Sequence, residues 1–216
     1  LQIETSFEAR SMAKPLEFFF DYVSPFSYLA DTQLPALLER TKAAIIYKPV
    51  LLGGIFKAAN NTPPPAIPAK LNYNAVDAIR WSKHYRVPMT INPFFPLSTI
   101  RAMRGAIVAQ SAGCFPAYHA AIFRAMWVDG VNLGDPKIVK DIFMRLDMDP
   151  DAVEREDVKE RLKANTDEAV ARGAFGAPTF FIGDAMFWGN DRMHFIEAAL
   201  KERRQADSGC LRAESW

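Results

Sequence analysis

The chain has 216 residues, half of them hydrophobic and 12% aromatic, and its 26 basic and 25 acidic side chains leave a net charge of +1. That length holds one large domain, or a small one with a sizeable insertion, and the composition can bury a substantial core. The balanced charge gives no electrostatic case for nucleic acid or an anionic membrane as partner, and no uncharged apolar run reaches bilayer-spanning length.

Residues 1–12 lack the apolar core of a secretory signal, and Met12-Ala13-Lys14-Pro15 reads as a natural start, so 1–12 are taken as a tag or disordered leader. Residues 15–23 carry the run Leu16-Glu17-Phe18-Phe19-Phe20 and suit a fully buried strand. A helix is expected from about Pro25 to Arg40, kinked or cut short at Pro35. Residues 44–51 read as a second strand, which closes a βαβ unit. A Gly53-Gly54 turn and a loop through Asn60-Asn61-Thr62-Pro63-Pro64-Pro65 follow.

From about 68 to 172 the pattern is helical. Pro96–Thr99 and Phe115-Pro116 each lead into helical spacing, and Asp135-Pro136 and Asp149-Pro150 each place an aspartate before an N1 proline. Strand character returns after Gly173: Pro178–Ile182, the turn Gly183-Asp184 and Ala185–Trp188 read as a hairpin. A last helix begins at Asp191, and 206–216 form a polar tail. The order βαβ, helical block, ββα fits a thioredoxin-like α/β fold with a large all-helical insertion. Its thioredoxin-like part spans 13–62 and 173–205, and the insertion spans 63–172.

Chemistry is sought first at Ser24-Pro25-Phe26-Ser27, where a strand delivers the chain to a helix. Redox proteins often place Cys-x-x-Cys there, but Cys114 and Cys210 are far apart and form no such motif, which favours a reducing cytoplasm. Taken alone, Ser24 is a helix cap with Pro25 at N1. A helix N-terminus also stabilises an anion, a thiolate included, so a protein offering a hydroxyl there can take the thiolate from a ligand such as glutathione. Ala177-Pro178 is the second signal, a strand-mouth proline expected to be cis, with the residue before it free to pair with a peptide ligand. Trp188-Gly189-Asn190-Asp191-Arg192 is the third, a second helix start with a carboxylate. His84, His119 and His194 show no metal-ligand spacing, so no metal is expected.

The segments FFFDYVSPFSYLA, GGIFKAANNTPP and GAFGAPTFFIGDAMFWGNDRM resemble the family of 2-hydroxychromene-2-carboxylate isomerases and kappa-class glutathione transferases, a branch related to Dsb-type (DsbA-like) oxidoreductases. The similarity runs from Leu16 to about Leu200, and FWGNDRM leans toward the isomerases. The resemblance implies that Ser24, beside Pro25 and Phe26, hydrogen-bonds a glutathione sulfur. It implies that Ala177, before Pro178, pairs with the cysteinyl backbone, and that Trp188, Gly189, Asn190 and Asp191 grip the γ-glutamyl end. Asn61 and Lys70 fall where the glycine end is contacted, and Lys57 where a substrate carboxylate is faced. Phe95, in Pro93-Phe94-Phe95-Pro96, stands where an isomerase places a substrate-contacting tyrosine.

The resemblance further implies a cytoplasmic homodimer acting on a small aromatic substrate. The reaction expected is cis-trans isomerisation between 2-hydroxychromene-2-carboxylate and trans-o-hydroxybenzylidenepyruvate, or a related 2-oxo acid, by reversible thiolate addition. The alternatives are a kappa-type transferase or peroxidase and a non-redox peptide-binding module. A redox oxidoreductase is opposed by the serines, which form no disulfide.

Overall fold

The computed structural model describes residues 14–202; the leader over 1–12, the tail over 206–216 and Cys210 lie outside the described residues. Strand β1 (Leu16–Phe20) is buried on both faces, with Leu16, Phe18 and Phe20 in the larger core cluster and Phe19 in a smaller one behind it. Period-2 alternation is therefore present in space but hidden in the sequence, because both directions are apolar. Glu17, on the side of Phe19, is offset by Arg172 at 2.8 Å.

The helix expected over 25–40 is two helices, α1 (Pro25–Asp31) and α2 (Leu34–Thr41), with Pro35 in the first turn of α2. Strand β2 (Ile45–Pro49) then pairs in parallel with β1. The Gly53-Gly54 pair corrects the sequence reading, since it lies inside helix α3 (Leu52–Ala58) instead of forming a turn. Two distant groups hold its start: the Asp21 carboxylate accepts the Leu52 N–H at 2.9 Å and the Thr166 hydroxyl accepts the Leu51 N–H at 3.0 Å. Gly54 packs close to α8, where an added Cβ would stand 3.1 Å from the Thr166 methyl.

Five helices follow: α4 (Pro68–Tyr85), α5 (Ile100–Ala112), α6 (Phe115–Trp127), α7 (Pro136–Arg145) and α8 (Glu156–Ala171). Asp135 caps α7 through the Lys137 N–H at 2.9 Å. Asp149 accepts the Asp151 N–H in the same way, but Pro150–Glu154 is only a 3-10 turn. Extended angles at Arg155 then separate it from α8. Strands β3 (Thr179–Ile182) and β4 (Ala185–Trp188) form the hairpin, followed by a 3-10 turn at Asn190–Arg192 and a helix over 193–202.

The strand order is β2-β1-β3-β4, with β1 antiparallel to β3 and β3 antiparallel to β4. Phe18 and Phe180 face each other in register and stack at 4.8 Å across the sheet's centre. This mixed sheet, with α4 to α8 inserted between α3 and β3, is a DsbA-like thioredoxin fold. The Ala177–Pro178 and Phe95–Pro96 peptide bonds are cis. Among the described residues no helix is long and apolar enough to cross a membrane.

Candidate active site

The strand-to-helix turn at the end of β1 is held from below by Asp21. Its buried carboxylate accepts the Val23 N–H at 3.1 Å, the Leu52 N–H at 2.9 Å and the Thr99 hydroxyl at 2.6 Å. Burial pushes its pKa above the ordinary carboxylate value, and those three hydrogen bonds oppose that shift in part. One side chain thus fixes the turn, the start of α3 and the start of α5 relative to one another. Tyr22 adds a second anchor, its carbonyl accepting the Trp127 indole N–H at 2.8 Å.

Ser24 emerges from this support with extended angles and caps α1. Its Oγ accepts the Ser27 N–H at 3.1 Å and donates to the Ala177 carbonyl at 2.9 Å. The two strongest sequence signals, 153 positions apart, therefore meet in one hydrogen bond. Ser27, the second serine, is fully buried beneath the turn.

The segment around Pro178 is closed by its neighbours. Gly189 donates its N–H to the Pro178 carbonyl at 3.0 Å, and Asn61 Nδ2 donates to the Phe175 carbonyl at 3.1 Å. The Trp188 ring lies 5.0 Å from that of Phe175 and covers Gly176, where an added Cβ would be 2.7 Å from the indole nitrogen. Buried Asn190 is fixed by Tyr85, whose hydroxyl donates to its carbonyl at 2.7 Å, and Asp191 pairs with Arg192.

These elements enclose a groove of about 630 Å³, within the range of ordinary small-molecule sites. Ser24, Pro25, Phe26, Asn61, Lys70, Phe95, Ala177, Pro178, Trp188, Gly189, Asn190 and Asp191 all line it. Lys57 does not; it is exposed on α3, one residue past the lining Phe56. Residues missed in the sequence complete the walls. Helix α4 contributes Asn74, Asp77 and Trp81 along with Lys70, at a spacing that puts all four on one face. That spacing was open to sequence reasoning. Trp127, which reaches the groove from α6 beside Leu97 and Phe95, had no local signal.

The groove is therefore lined both by polar groups, among them Ser24, Asn61, Lys70 and Asn190, and by apolar ones, among them Phe26, Phe95, Leu97 and Trp127. Gly189 has φ +95°, and an added Cβ would stand 2.6 Å from Asp191 Oδ1. Gly189→Ala is expected to cost about 1–3 kcal/mol in stability from backbone strain and to displace Asp191. Chemical denaturation and calorimetry of ligand binding check the two effects separately.

A hydroxyl at the redox position of a thioredoxin fold, facing the residue before a cis-proline, defines a DsbA-like protein without a disulfide of its own at that turn. A family model described as a DSBA-like thioredoxin domain matches residues 15–201. A 2-hydroxychromene-2-carboxylate isomerase of Sphingobium xenophagum is 34% identical over 197 residues, covering 88% of this chain and 99% of that protein. Glutathione S-transferase kappa 1 of Caenorhabditis elegans is 28% identical, covering 87% of this chain and 91% of that protein. A solved 2-hydroxychromene-2-carboxylate isomerase superposes with a TM-score of 0.76 at 30% identity, covering 89% of this chain and 98% of that one. The chain belongs to the DsbA-like family of 2-hydroxychromene-2-carboxylate isomerases and kappa-class glutathione transferases.

Proposed function

We propose that the chain is a glutathione-dependent cis-trans isomerase of an aromatic 2-oxo acid, interconverting 2-hydroxychromene-2-carboxylate and trans-o-hydroxybenzylidenepyruvate or a close relative. The observation that carries this reading is the Ser24 hydroxyl, which stands where a redox relative has its thiol and lies 2.9 Å from the Ala177 carbonyl. The polar groups lining the groove suit a zwitterionic tripeptide thiol. Lys70 has no ion-pair partner among the described residues and can take the glycine carboxylate, with Asn61 beside it. The backbone of Ala177 pairs with the cysteinyl residue in the manner of an added strand. Trp188, Gly189, Asn190 and Asp191 hold the γ-glutamyl end at the start of the last helix, while Pro25, Phe26 and Pro178 supply apolar contact.

Ser24, Ala177 and Asn190 would hold glutathione in the groove, and when bound it would supply a thiolate nucleophile for reversible addition to the conjugated enone of the ring-opened substrate, the chemistry that frees the double bond to rotate. Ser24 holds the sulfur in its ionised form by donating its hydroxyl proton. Phe95, Leu97 and Trp127 pack against the aromatic ring and exclude water. Lys57, exposed on α3 next to the lining Phe56, remains the cation for the substrate carboxylate. The reading includes a reducing, cytoplasmic setting, where glutathione is abundant, and a homodimer.

The test is turnover of 2-hydroxychromene-2-carboxylate, followed by ultraviolet absorbance with and without glutathione while free thiol is counted. Equilibration that needs glutathione and leaves it unconsumed is the expected result. Equilibration that proceeds equally without glutathione would sink the reading. Stoichiometric loss of thiol would instead favour transferase chemistry, as in the kappa relatives, and the apolar Phe95 in place of a tyrosine is the feature that keeps that second reading open.

A further inference from the structure

The Ser24 hydroxyl has a single proton and two lone pairs. One lone pair takes the Ser27 N–H, and this bond persists whichever way the proton points. The proton itself is committed to the Ala177 carbonyl at 2.9 Å. Holding a sulfur anion in the groove needs the same proton, so the carbonyl and the sulfur compete for it. A half-buried carbonyl stripped of its donor is costly to leave unmet, so the hydroxyl is not free to turn unless another donor takes its place at Ala177.

We propose that the amide N–H of a cysteinyl ligand is that donor, so that backbone recognition at Ala177 releases the Ser24 proton to the ligand's sulfur. The proposal rests on the glutathione reading above and adds a selection step to it. Rotation about the Cβ–Oγ bond of Ser24 carries the proton from the carbonyl to the sulfur, and no heavy atom of the turn has to move. The thiol proton leaves to bulk water, the serine keeps its own, and no covalent bond of the protein changes. The site is thereby selective for thiols carrying an acylated amino group at the cysteine. A simple alkyl thiol of equal reach leaves the Ser24 proton on Ala177 and remains a thiol at neutral pH.

The discriminating probe is the depsipeptide analogue of glutathione in which the cysteinyl N–H is replaced by an ester oxygen. Both ligands are bound to the full chain at saturation, verified by calorimetry, and the ultraviolet absorbance of the thiolate is followed against pH. The expected result is a bound depsipeptide whose thiol is at least about tenfold harder to ionise than that of bound glutathione. In Ser24→Ala the gap between the two ligands closes, because no serine proton remains to be released. Equal ionisation of the two ligands in the unaltered chain overturns the proposal, and so does a gap that persists in Ser24→Ala. If glutathione itself does not bind by calorimetry, the glutathione reading fails and the proposal falls with it.

Discussion

Ser24→Ala lowers kcat/KM for the glutathione-dependent reaction by about 100- to 1,000-fold, the range found when one oriented donor to a developing or resident anion is removed. The loss falls mainly on kcat, because the pairing at Ala177 and the contacts around Asn190 and Lys70 still hold the tripeptide. Stability changes less. Losing the acceptor for the Ser27 N–H costs about 1 kcal/mol as a lost helix cap, and the half-buried Ala177 carbonyl loses its donor at a further cost of about 1 kcal/mol. Steady-state kinetics beside a denaturation curve separates the two effects. A variant that unfolds easily with normal kcat would make Ser24 a cap alone, whereas a stable variant without turnover fits the catalytic role.

Asp21→Ala is the second large expectation, and it acts on fold and site together. Two main-chain N–H groups and the Thr99 hydroxyl lose the acceptor they have among the described residues, at buried or half-buried positions. Each such loss costs about 1–3 kcal/mol, so a drop of about 3 kcal/mol or more is expected in denaturant unfolding. The start of α3 and the approach to α5 also lose their tie to the Ser24 turn, so KM for the second substrate rises. Asp21→Asn is milder, since it keeps one acceptor oxygen while setting an NH₂ against a donor.

The same carboxylate gives a sign-definite pH effect. Burial raises its pKa in the folded chain above the ordinary 3.8, so between those two values the folded state holds a proton that the unfolded state has released. Its stabilising contribution is therefore full below pH 3.8 and is lost as pH rises through the folded value. In Asp21→Asn that component of the pH dependence disappears, which unfolding curves across the acidic range measure directly.

Much of the site was legible because its signals are local. A serine before an N1 proline, a proline at the mouth of a strand, and Gly-Asn-Asp before a helix each carry their own conformational reason, and the fold brings all three to one groove. The hairpin at Thr179–Trp188 was legible for the same reason, a glycine turn between two apolar runs. What escaped depends on partners far along the chain. Gly53-Gly54 has the composition of a turn, but the helix start just before it is held by distant partners, Asp21 on the Leu52 N–H and Thr166 of α8 on the Leu51 N–H. Trp127 enters the groove because its indole is tied to Tyr22, a pairing across 105 positions that no local pattern announces. The α4 wall lies between these cases: the spacing of Lys70, Asn74, Asp77 and Trp81 marks one helical face, but nothing in it says that the face meets a groove.

The central claim is that this chain holds a borrowed thiol as a thiolate at Ser24. Its most direct test is the pH titration of thiolate absorbance for glutathione bound to the unaltered chain and to Ser24→Ala. The account predicts a bound thiol that is ionised at neutral pH in the unaltered chain, well below the free-thiol value of about 8.5, and a return toward that value in the variant. A bound glutathione that titrates as it does free in solution, in both proteins alike, would contradict it.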